Sequence, residues 1–175
     1  MHSTLLRWPV VFLLWSLALP LAAQDQAGAL LRELERQFQA GERGAALLRA
    51  ERAAASQPGD SRLRFLYAVM LTDLGRASQA AQALEALTQE FPELPEPFNN
   101  LAVLRAAEGQ LDTARQLLES ALRADPGYAT AHQNLGDVLV RLALRSFRQA
   151  AASGVSDAAL ARKLRLASEL AGTPP

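Results

Sequence analysis

The sequence predicts an all-α fold assembled from repeated helix pairs, on three observations. Glycine recurs at Gly41, Gly75 and Gly109 and proline at Pro58, Pro92 and Pro126, each series stepping by 34 residues. Between these marks apolar residues recur at helical spacing, as Leu30, Leu34 and Phe38 do at intervals of four. Alanine is abundant and β-branched residues are scarce, which favours helix. A unit of this size cannot bury its own apolar face, so successive units must stack.

Composition narrows the function. Half of the 175 residues are apolar, and 18 basic residues balance 18 acidic ones. Such a chain is globular, and it lacks the basic footprint of a nucleic-acid binder. The basic residues are arginines except for Lys163. Cysteine is absent, which excludes disulfides, thiolate metal sites, cysteine nucleophiles and lipidation of an N-terminal cysteine.

Residues 1–23 read as an export signal. Arg7 supplies the positive start, Trp8 to Leu19 the apolar stretch, and Pro20 breaks it before Leu21-Ala22-Ala23. Cleavage after Ala23 is expected. An uncleaved membrane anchor is the alternative, although the apolar run is short of the roughly 20 residues a spanning helix needs.

The repeat domain is expected over 24–171, with repeats at 27–60, 61–94, 95–128 and a modified unit at 129–171. The first pairs a helix over 28–40 with one over 43–56. Glu33 occupies an otherwise apolar place there, as suits a first repeat with no upstream neighbour. Asp60 or Ser61 is the expected N-cap of the next helix. The second repeat has helices over 61–74 and 78–90, with Gly75 between them as a C-cap, and Phe91-Pro92 stops the second. Leu94 to Pro97 reads as a stiff turn between repeats; Pro97 is tolerated in the first helical turn, where its missing N–H costs nothing, and Glu96 complements the helix N-terminus. The fourth unit has Ala143 where glycine stood before. One long helix over 130–152 is therefore expected, ended by Gly154. Ser156-Asp157 then caps a final helix to Leu170, with Leu160, Leu164 and Ala167 inward and Arg162, Lys163 and Arg165 outward. Residues 172–175 form a tail.

The stretch Pro95 to Tyr128 carries Phe98, Leu101-Ala102, Gly109, Ala114, Leu118, Ala121 and Pro126. With these residues it resembles a tetratricopeptide (TPR) repeat, a helix–turn–helix unit of about 34 residues. Tyr67, Ala68, Gly75, Ala80, Leu84 and Pro92 match one repeat earlier. The resemblance implies a right-handed superhelical solenoid whose first helices line a concave groove. It places Glu96, Asn99, Asn100, Val103, Ala106 and Ala107 of the third repeat on that groove. From the fourth it places Thr130, Gln133, Asn134, Asp137, Val140 and Arg141 there. Upstream it adds Leu31, Arg32, Arg62, Phe65, Leu66 and Val69, a more apolar stretch able to hold an apolar side chain and an anionic group, with Phe65 and Leu66 equally readable as core between repeats.

Asn100 and Asn134 fall at one place in consecutive repeats, and amide side chains can pair with the backbone of an extended peptide. Arg141, Arg145 and Arg148 share one helix face, readable as an anion-contacting stripe or as a solvated surface. His132 stands where Phe98 does one repeat earlier and is expected to pack. No Ser-His-Asp pattern, Gly-flanked nucleophile or phosphate loop occurs. The expectation is a non-catalytic adaptor without cofactor or metal, binding a protein or peptide in the periplasm of a Gram-negative bacterium. Membrane attachment is expected only with an uncleaved signal, facing the periplasm. A self-associating scaffold, a homo-oligomer, is the alternative.

Overall fold

The computed structural model describes residues 19–172. Most of the expected export segment therefore lies outside the described residues. Among the described residues there are eight helices and no strand: α1 (Leu19–Gln39), α2 (Arg43–Ser56), α3 (Ser61–Asp73), α4 (Ala77–Glu90), α5 (Pro95–Ala107), α6 (Leu111–Ala124), α7 (Ala129–Ala152) and α8 (Ala158–Leu170). They pair as α1–α2, α3–α4 and α5–α6, each pair packing on the next, with α7 and α8 closing the stack. The first helices also touch directly, α1 on α3 and α5 on α7. They form one layer and α2, α4 and α6 the other. The principal departure from expectation is α1, which begins at Leu19 rather than near Gly28 and so runs through the point expected for cleavage. No helix among the described residues is long and apolar enough to cross a membrane.

Two kinds of turn repeat along the chain. Within each pair, glycine takes positive φ: 95° at Gly41, 71° at Gly75 and 78° at Gly109. Around Gly75 the Arg76 N–H donates to the Leu71 carbonyl and the Gly75 N–H to Thr72; around Gly109, Gln110 donates to Arg105 and Gly109 to Ala106. These are Schellman closures, which satisfy the last carbonyls of the helix and favour glycine at the positive-φ position. Position 143 holds alanine, so α7 does not stop there. It continues for 24 residues to Ala152 and ends on Gly154, φ 95°, with the same closure from Val155 to Ala150.

Between pairs, a β-turn carries proline in its second place. Asp60 donates to Gln57 across Pro58, Leu94 to Phe91 across Pro92, and Tyr128 to Asp125 across Pro126. Proline's fixed φ suits that place. Arg64 Nη1 donates to the Pro58 carbonyl at 3.0 Å, and His132 Nε2 lies 3.0 Å from the Pro126 carbonyl. Position 64 precedes 132 by two repeats, so two repeats tie their first helix to the incoming turn through a side-chain donor. His132 was expected to pack like Phe98. It is exposed instead, because its ring nitrogen has this carbonyl to serve, while Phe98 packs half-buried against the core.

The core divides at α5. Leu34, Phe38, Leu63, Met70, Leu71, Leu84 and Leu87 form one cluster, which Leu101 and Leu104 of α5 complete. Ala102 and Ala106 of the same helix belong to a second, with Leu111, Ala114, Leu118, Ala121, Ala131 and Val138. Ala46, Ala80 and Ala114 occupy one repeat position and are wholly buried. A methyl group there lets paired helices approach closely.

Asp60 caps α3, accepting from the Arg62 and Leu63 N–H groups at 3.0 and 3.4 Å. The Arg62 guanidinium pairs with the same carboxylate at 2.9 Å. Its hydrogen bond is the main cause holding the Asp60 carboxyl below its usual range, with the backbone donors adding to it and burial opposing. A depressed pKa in the folded chain means stabilisation that is complete above the unfolded value, about 4, and lost as pH falls through the folded value. Glu90, beside Arg64, and Asp112, beside Arg145, are shifted the same way. The melting temperature is therefore expected to hold from neutral pH to about 5 and to fall below about 4. Asp60→Asn, which still caps, should make that fall shallower in scans across the range.

Candidate functional site

The groove between α5 and α7 is built on an amide relay. Asn99, one turn into α5, is 3% exposed. Its Oδ1 accepts from Asn134 Nδ2 of α7 at 2.8 Å, and its own Nδ2 donates to Asn100 Oδ1 at 3.2 Å. Asn99, expected to face the groove, thus lies beneath it and orients the two amides that do. Asn100 retains its N–H donors and Asn134 its Oδ1, which make no hydrogen bond among the described residues. Asn99→Ala would remove the buried partner of the half-buried Asn134 donor, a loss of about 1 kcal/mol, read as a lowered denaturation midpoint.

Beyond the relay, α5 and α7 enclose an open cavity of about 290 Å3 lined by Ala102, Val103, Ala106, Ala107, Leu118, Asn134, Asp137, Val138 and Arg141. Val103 is exposed at its mouth. Arg141 is anchored: Nη2 donates to the Ala106 carbonyl at 2.9 Å, in the last turn of α5, where a cation offsets the helix dipole. Val103, Asn134, Asp137 and Arg141 thus line one cavity, and Asn100 is linked to it through Asn99. Gln133, one residue along α7, is exposed beside them. Ala102 and Leu118 were legible only as repeat positions, and Val138 was not singled out; they form the floor because α7 leaves that strip of the second cluster open.

Upstream the expectation changes. Arg62 is engaged by Asp60 through two side-chain bonds, Nε at 3.2 Å and Nη2 at 2.9 Å, so it does not offer the anion contact expected of it. Phe65 is half-buried against the first core cluster, and Val69 is also half-buried.

The arginine stripe is likewise partly committed. Arg145 binds Asp112 through both terminal nitrogens, at 2.9 and 3.2 Å, tying α7 to α6. Arg141, Arg145 and Arg148 all line a second open cavity of about 550 Å3, with Leu111, Leu144, Gln149, Ala152 and Ala171. Among the described residues no group of three or more His, Asp or Glu is placed to hold a metal ion.

Residues 105–153 match the family model of the tetratricopeptide repeat. The second TPR domain of human RPAP3, solved in complex with the HSP70 peptide SGPTIEEVD, superposes with a TM-score of 0.58 at 19% identity, over 66% of this chain and 96% of that one. The fold is that of a TPR solenoid. The type III secretion translocator chaperone SycD of Yersinia enterocolitica matches with a TM-score of 0.61 at 16% identity, over 67% of this chain and 94% of that one. A thermophilic TPR protein of Thermus thermophilus matches with a TM-score of 0.58 at 23% identity, over 81% of each chain. The family match spans α6 and α7, so it takes in the long helix that departs from the 34-residue rule. The amide relay and the cavity above it lie between α5 and α7, the first helices of successive units of this solenoid.

Proposed function

We propose that this chain is a non-catalytic interaction module that holds an extended segment of a partner protein in the groove between α5 and α7. The observation that carries the reading is the open apolar cavity beside Asn100 and Asn134, whose remaining donors and acceptor the chain leaves unused. A peptide backbone supplies the complementary groups, and a single side chain suits the cavity. The peptide complex of the human RPAP3 domain supports the same use of this fold. The N-terminal stretch that reads as an export signal supports a periplasmic setting, within envelope assembly, secretion or cell-wall machinery.

Affinity capture from envelope extract tests this. The bait is the chain, run beside a folded Asn100→Ala, Asn134→Ala double variant. A partner lost with the variant supports the groove; partners held equally by both count against it.

A second reading, self-association, has one observation in its favour. Leu170 of α8 is 74% exposed, with Leu166 and Val155 also exposed nearby in sequence. A mass that stays monomeric over a wide concentration range in sedimentation equilibrium removes it.

A further inference from the structure

We infer that the α5–α7 cavity selects a segment carrying an aliphatic side chain next to a basic one, with Asp137 setting the charge preference. This rests on the groove reading above and adds the chemistry of the partner. Ala102, Val103, Ala106, Leu118 and Val138 make the lining predominantly apolar, and about 290 Å3 accommodates one aliphatic side chain.

The charge argument turns on Arg141. Asp137 and Arg141 are the charged residues of the lining, and their i, i+4 spacing would let them pair. They do not. The guanidinium is drawn to the Ala106 carbonyl at 2.9 Å, against the end of α5, where the aligned peptides leave roughly half a negative charge. Asp137 is exposed and makes no ion pair or hydrogen bond among the described residues. The helix end offsets about half of the guanidinium charge, so with the exposed Asp137 carboxylate the mouth keeps a net negative charge of roughly one half. A ligand ammonium or guanidinium beside the inserted side chain meets it; a ligand carboxylate there is repelled.

Panning a phage-displayed library of random peptides on the purified chain, with Asp137→Asn and Val103→Arg variants shown to be folded, tests the inference. Both substitutions are at exposed positions. The expected selection is Leu, Ile, Val or Met adjoining Lys or Arg. A synthetic peptide of that consensus should bind Asp137→Asn about two- to five-fold more weakly, as for an exposed ion pair. It should weaken further with added salt and lose binding to Val103→Arg. Selection of acidic or neutral neighbours, or equal affinity for Asp137→Asn, overturns the charge preference. The groove reading survives either result if Val103→Arg still abolishes binding. Peptides that bind Val103→Arg normally, or a library that yields no binder, overturn both.

Discussion

Leu84→Ala is expected to cost about 2–5 kcal/mol of stability, the range for truncating a fully buried leucine. Leu84 lies at the centre of α4 with no exposed surface, in the cluster shared by α1 to α5. Removing three side-chain carbons forfeits their burial and leaves a cavity that rigid neighbouring helices cannot close. The cost should extend beyond its own repeat, because each pair is stable only against the next. Urea denaturation followed by circular dichroism gives the value. A midpoint within error of the wild type would mean that α4 does not pack as described.

Ala114→Leu should cost about 1–3 kcal/mol for the opposite reason. Ala114 is wholly buried in α6 at the repeat position also held by Ala46 and Ala80. Three added carbons there have no space, so the helix pair must separate or the side chain must leave its preferred rotamer. Thr113 next to it is exposed. Thr113→Leu is therefore the control, expected within about 0.5 kcal/mol of the wild type. Equal effects at the two positions would put the wrong face of α6 inward.

The turns were the most legible part of the chain, because their residues have little choice. Gly41, Gly75 and Gly109 each supply positive φ, and the missing glycine at Ala143 foretold the long α7. Asp157 was read as the cap of α8 and does accept from the Leu160 N–H, at 2.6 Å. Side-chain partners were harder to read, since they join residues a repeat apart. Nothing local in sequence says that Asn99 turns down to meet Asn134, or that Arg141 spends itself on the Ala106 carbonyl. Both pairs are separated by 35 residues, one more than the repeat, the offset at which α5 and α7 present neighbouring faces. His132 misled because Phe98 and Leu30 hold the same repeat position, whereas its ring nitrogen finds the turn carbonyl that Arg64 finds two repeats earlier. The start of α1 was masked by reading its first residues as part of an export signal.

Site-specific photocrosslinking in cells tests most directly whether the groove is the working surface. A photoreactive amino acid would replace Val103, at the cavity mouth, or Leu48, exposed to a similar degree on α2 in the other layer. The groove reading predicts a discrete partner adduct from position 103 and none from position 48. An adduct from position 48 with none from position 103 would contradict it.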